Sequence, residues 1–144
     1  MPCLNPFSLP DHPDPNLQPV VSLWQHLKRA ENEMPFSDDL ELSALSNLAA
    51  RPFTLSVFAA PERFRFEYLD KALQGTASAG RFIDELFLDA GLGYLRAQSS
   101  ATVEAAEPTF FRLHEKSGPN FSRVLLPLWG NGQINVLLGA VSSS

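Results

Sequence analysis

The stretch RVLLPLWGNGQINVLLGAV, residues 123 to 141, is nearly all apolar and belongs to a chain of 144 residues with a formal net charge of -5. Its reading decides the fold, because it is either a membrane span or a pair of sheet strands. A span needs about 20 unbroken apolar residues, whereas Gly130-Asn131-Gly132 cuts this stretch in the middle and Arg123, Gln133 and Asn135 interrupt it. A Gly-Asn-Gly cluster supplies the positive-φ positions of a tight turn. The stretch therefore reads as a β-hairpin with arms Phe121 to Trp129 and Gln133 to Val141. In the first arm Phe121, Leu125 and Trp129 lie on one face and Val124, Leu126 and Leu128 on the other, so both faces need cover. Pro127 marks a position where no ladder partner needs a donor, as at an edge or a bulge.

Upstream of the hairpin, Thr109 to Glu115 is a further strand, led in by Pro108. Phe53 to Ala59 and Arg63 to Tyr68 alternate with a period of two, joined by a turn at Pro61-Glu62. Phe64, Phe66 and Tyr68 share the apolar face of the second of these strands, and Arg63 and Arg65 share the other. Residues 69 to 106 lack this alternation and read as short helical pieces followed by a helix from Tyr94 to Ala106, whose small side chains allow close approach to a sheet. Ahead of the strands, Val20, Trp24 and Leu27 recur at helical spacing until Met34-Pro35, and Ser37-Asp38-Asp39 opens a second helix with Leu42, Leu45 and Leu48 on one side. Prolines at 2, 6, 10, 13 and 15 make residues 1–16 a disordered or extended leader. Residues 17–144 then form one domain: an α+β fold with a five-stranded antiparallel sheet, helices between strands 2 and 3, and an N-terminal helical lead-in.

Composition narrows the function. The acidic balance argues against nucleic acid, whose binders present basic patches to phosphates, and no polybasic run suits a membrane surface. The sole cysteine, Cys3, rules out a disulfide within the chain and fits a reducing compartment, and the N-terminus lacks the pattern of a signal peptide, so a cytoplasmic location is expected.

The element order is that of a PAS domain. Several landmarks carry a closer likeness: Trp24 with Lys28-Arg29, Met34-Pro35, Asp39-Leu40-Glu41, Arg63 to Tyr68, Gly80-Arg-Phe-Ile-Asp-Glu-Leu86, Leu125 to Leu128 and Leu137 to Ala140. From about Val20 to Val141 the chain resembles a bacterial, largely alphaproteobacterial, PAS-like family in which the compact domain is often the whole protein. The resemblance implies a sensory or regulatory module in signalling that binds a small molecule or a protein partner. Family members usually carry a glycine just after the second strand and a longer stretch before Asp-Glu-Leu. Here Leu69 to Leu73 and a short Gln74 to Ala79 leave less room for a cavity.

Candidate pocket residues are Phe64, Phe66, Tyr68, Phe111 and Leu113 from the sheet, with Phe82, Leu86 and Leu95 from the helical side. Apolar residues at these spacings also suit a packed core. A photoactive flavin or a haem in such a fold implies a cysteine or an axial histidine in the helical segment. Residues 69 to 106 contain neither, so both cofactors are disfavoured and the cofactor stays open. His12, His26 and His114 show no metal-ligand spacing, and no metal site is expected.

A homodimer is the expected state, with Val20, Trp24, Leu27 and Trp129 as its candidate interface and the helix covering the hairpin in its own chain or across the dimer, and an alternative function is that of a ligand-free dimerisation or interaction module. A less favoured rival is a small α+β enzyme with an acid or histidine in a cone beside the sheet. Asp84, Glu85, His114 and Glu115 are its concentrated titratable groups, but no nucleophile with an adjacent base is evident. The expectation is a non-enzyme.

Overall fold

The computed structural model describes residues 14–29, 32, 34–48, 50–59, 61–73, 78–86, 92–113 and 120–143. The opening stretch folds as an antiparallel hairpin of β4 (Phe121–Gly130) and β5 (Gln133–Ser143), slightly longer than the alternation predicts. Its turn residues Asn131 and Gly132 stand at φ 56° and 80°. Two successive positive-φ residues give a turn whose twist matches that of the flanking strands.

The other strands are β1 (Arg51–Ala59), β2 (Glu62–Leu69) and β3 (Thr109–Leu113). All five join one antiparallel sheet in the order β2-β1-β5-β4-β3. The hairpin thus supplies central strands, and β4 is buried at every position from Phe121 to Leu128. Two layers achieve this. On the inner face, Phe53, Leu55, Phe64, Phe66, Phe121, Leu125 and Leu137 pack beneath Leu95 of helix α2 (Leu95–Ala105), with Ile83 and Leu92 from the connection. On the outer face, Val124, Leu126, Leu128, Leu138 and Ala140 pack beneath Leu17, Val20, Val21 and Trp24 at the start of helix α1 (Gln18–Leu27) and along it.

At the centre of the inner face, Phe53 pairs with Gly139 across β1 and β5. A Cβ at Gly139 would lie 2.3 Å from the Phe53 ring, so glycine alone lets that ring lie across the neighbouring strand. The ring then meets Phe66 edge-on at 5.9 Å.

Pro127 pairs with Leu137 on β5, while the β3 ladder ends at Leu125. Its carbonyl accepts a 2.7 Å hydrogen bond from Trp24 Nε1, so the outer layer satisfies the acceptor that β3 does not reach.

The second expected helix is replaced by 3-10 turns at Ser37–Asp39 and Leu42–Asn47, separated by extended backbone at Leu40 and Glu41. Leu42, Leu45 and Leu48 recur at a strict spacing of three, which matches the 3-10 period better than 3.6. Leu45 is buried, and Leu40 and Leu48 are half-buried in the outer layer, so the chain spreads over the sheet instead of coiling above it.

The connection from β2 to β3 forms 3-10 turns at Lys71–Leu73 and Ile83–Glu85 before α2. Between them, Gly80 N donates to Phe66 O at 2.6 Å and Phe66 N donates to Arg81 O at 3.0 Å, which closes that part of the β2 edge. Tyr94 and Ala106, expected inside the last helix, are its left-handed caps at φ 61° and 55°.

Gly139→Ala is expected to destabilise the fold by about 1–3 kcal/mol through overpacking against Phe53. Ala106→Gly is expected to stabilise it by about 0.5–1 kcal/mol by removing a Cβ from a left-handed cap. Urea denaturation of the variants checks both signs.

Candidate functional site

The interior between the sheet and α2 gathers part of the expected pocket. Phe64, Phe66 and Leu95 are at most 1% exposed and belong to one apolar cluster, with Leu86 half-buried against it. Phe111 is half-buried on β3, where the Tyr94 ring meets it edge-on at 5.8 Å. Leu113 lies in β3, and its side chain is outside the described residues.

Tyr68 is not on this face. The pairs Thr54↔Tyr68 and Leu55↔Phe66 leave Glu67 as an extra residue, a β-bulge. Beyond it the alternation is reset, so Leu69 points inward and Tyr68 joins the outer layer. Thr54 Oγ1 accepts the Tyr68 N–H at 3.1 Å, which satisfies a donor at the irregularity.

Phe82 is also elsewhere. It bridges to Arg65 on β2, and its ring lies 5.4 Å from Phe58 and 3.7 Å beneath the Arg63 guanidinium. It therefore belongs with the arginine-bearing face of β2 and not with the interior.

The interior holds a polar cluster that periodicity arguments passed over. Arg123 sits on β4 between the inward-facing Phe121 and Leu125 and is fully buried, as are Gln98 and Thr102 of α2, while Thr109 of β3 is 1% exposed. Arg123 Nε donates to Gln98 Oε1 at 2.7 Å, and Arg123 Nη1 donates to Gly93 O at 3.0 Å. Gln98 Nε2 donates to Thr109 Oγ1 at 3.0 Å. Thr102 Oγ1 donates to Gln98 O at 2.8 Å and lies 2.6 Å from Thr109 Oγ1, so Thr109 is the donor to Thr102. The hydrogens run in a closed circuit from Gln98 through Thr109 and Thr102 back to the helix.

Burial pushes the Arg123 guanidinium down to about 9, and it remains cationic at neutral pH. Its carbon lies 5.5 Å from the Phe111 ring centre. The cluster ties α2 to β3 and β4 and places one positive charge among buried side chains that, among the described residues, are otherwise uncharged. The sequence signal for it was available: Arg123 alternates in period with Phe121 and Leu125, and Gln98 and Thr102 share a helix face at a spacing of four.

The expected interface residues lie against their own chain. Val20 and Trp24 are buried over β4 and β5, and Leu27 is half-buried at the end of α1. Trp129 stacks on Phe36 at 5.2 Å and donates its backbone N–H to Pro35 O at 3.1 Å. The helix thus covers the hairpin within one copy.

The titratable groups considered for catalysis do not converge among the described residues. Asp84 accepts both Arg63 Nε and Nη2 at 2.9 Å, and this hydrogen-bonded guanidinium holds its carboxyl below the ordinary value of 3.8. Glu85 Oε1 accepts the Phe82 N–H at 3.0 Å at the start of its 3-10 turn. His114 and Glu115 lie outside the described residues. No group of three His, Cys, Asp or Glu side chains suited to a metal ion occurs among the described residues. Comparison with known proteins finds no family model, curated protein or solved structure that matches the chain.

Gln98→Leu is expected to cost about 1–3 kcal/mol, because it removes the acceptor of the buried Arg123 Nε. Arg123→Met combined with Gln98→Leu is expected to recover most of that loss, since an apolar pair of similar volume needs no such partner. Chemical denaturation of the single and double variants measures the difference. The Arg63–Asp84 pair predicts an acid effect: Asp84 has a lowered folded-state pKa, so its contribution is present above 3.8 and is lost as pH falls through the folded value. Asp84→Asn is expected to flatten the stability profile in that acid window, as read by thermal melts across pH.

Proposed function

We propose that this chain is a PAS-like regulatory module that acts in bacterial signalling by binding rather than by catalysis, in the cytoplasm. The observation that carries this reading is the strand order β2-β1-β5-β4-β3, with the β2-to-β3 connection bringing α2 onto one face of the sheet. That layout bounds an interior between the sheet, α2 and the connection from β2 to β3. The polar cluster at Arg123 gives such an interior a feature able to read chemistry as well as shape. No helix among the described residues is long and apolar enough to cross a membrane.

In this reading, occupancy acts by changing how α2 sits on the sheet. A ligand shifts only what it binds unequally, so it must favour one seating of α2 over another. Two links would transmit the change: Gln98 to Arg123 on β4, and Ser100, whose hydroxyl bonds to Glu62 at the start of β2.

A specific observation favours a second reading, an interaction module without a small molecule. Phe64, Phe66 and Leu95, expected as pocket walls, are at most 1% exposed and pack with one another's neighbours in a continuous apolar cluster.

Native mass spectrometry of the purified protein, followed by denaturing analysis of anything released, separates the two. A co-purifying small molecule supports the sensor, and a ligand-free protein that retains a specific protein partner supports the interaction module. A chain that holds neither would overturn the binding reading. Phe66→Ala is expected to cost about 3–5 kcal/mol as a core truncation; near-native stability with loss of a released molecule would instead identify a pocket wall.

A further inference from the structure

The two helices that lie on the sheet differ in what they bury. On α1 the buried residues are Val20, Val21 and Trp24, apolar apart from one indole N–H. On α2 they are Leu95, Gln98, Ser99 and Thr102, so three of the four are polar. Apolar area removed from water is what holds a helix on a sheet. Helix α2 supplies little of it: Leu95, with Val103 half-buried against the same cluster. The rest of its attachment is the circuit through Thr109 and Arg123.

That circuit is readily exchanged for water. Each group in it regains a partner when solvent enters, so the net contribution of such hydrogen bonds is small beside their gross strength. Two features of the closed position are unfavourable in themselves. The Ser99 hydroxyl is fully buried and has no hydrogen-bond partner among the described residues, so it gains by reaching water. Tyr94 and Ala106, at the two ends of α2, both stand in the left-handed region, where a Cβ crowds the backbone. Opening at these two positions releases that strain.

The bonding pattern makes the opening cooperative. Gln98 holds both Thr109 on β3 and Arg123 on β4, and Thr102 holds Thr109 again. The Gly93 carbonyl, just ahead of Tyr94, accepts from the same guanidinium. The helix cannot leave one strand and keep the other.

We infer that α2 opens from the inner face of the sheet as one unit, turning at Tyr94 and Ala106, while the sheet and the outer layer with α1 stay folded. Opening lays bare Arg123 and Thr109 and makes α2 the way into the interior. The inference supplies the physical route for the seating change proposed above and rests on that reading for its purpose.

Hydrogen exchange of the full chain, followed by NMR over a series of low urea concentrations, is the test. The amides of Ser99 to Ala105 are expected to exchange through one common opening, about tenfold or more faster than those of β4 and β5. Their rates are expected to depend only weakly on urea, because little surface is exposed. The amides of Leu23 and Trp24 in α1 are expected to exchange with the sheet. Ser99→Ala removes the orphan hydroxyl and is expected to slow exchange in α2 by about fivefold or more. Ala106→Gly relieves one turning point and is expected to slow it by about two- to fivefold. Exchange in α2 no faster than in the sheet, α1 opening ahead of α2, or rates in α2 unmoved by both substitutions would overturn the inference. The unaltered chain decides the first two outcomes without any variant. Exchange reads opening in the free chain and the released mass reads occupancy, so either result can fail alone.

Discussion

Both faces of the β4–β5 hairpin are apolar, and this constraint organises the rest of the molecule. A sheet in which β4 is buried from Phe121 to Leu128 and β5 from Leu137 to Ser142 cannot leave one face to water, because each exposed square ångström of apolar surface costs about 25 cal/mol. The chain answers with two layers drawn from opposite sides of the sheet in sequence. Residues before β1 cover the outer face, and residues between β2 and β3 cover the inner one. Neither layer is a continuous helix. The outer one begins as α1 and continues as 3-10 turns, which suits a task of spreading over a surface.

The bulge at Glu67 sorts the aromatic residues of β2 between these layers. A regular strand would put Phe64, Phe66 and Tyr68 together, whereas one inserted residue sends Tyr68 outward and brings Leu69 in. The same strand offers its guanidinium groups to Phe82 from the following connection. Its outer face consequently changes along its length, from a covered stretch at Tyr68 to a balanced aromatic and charged surface at Arg63. A single register shift therefore contributes both to closing the core and to shaping the open face.

Arg123 introduces a different kind of constraint. A buried guanidinium is costly to desolvate, and its hydrogen bonds to Gln98 and Gly93 offset that cost only when α2 has one particular seating. Apolar contacts between α2 and the sheet tolerate sliding, but a closed circuit of hydroxyl and amide hydrogens does not. The polar cluster thus gives the inner layer a defined position, and any event that shifts α2 must rearrange it.

Local pattern alone determined the hairpin, the period-two strands, the amphipathic first helix and the sense of an α+β sheet, because alternation and turn chemistry act within a few residues. Pro127 and the Gly-Asn-Gly turn were legible for the same reason. The tertiary structure decided the strand order, the bulge that displaces Tyr68, the outward placement of Phe82, and the closing of Trp24 onto Pro127 of its own chain. It also decided that Arg123 would be buried with Gln98, Thr102 and Thr109. These features depend on which distant segments meet, and periodicity records only which face a residue occupies, not what arrives to cover it.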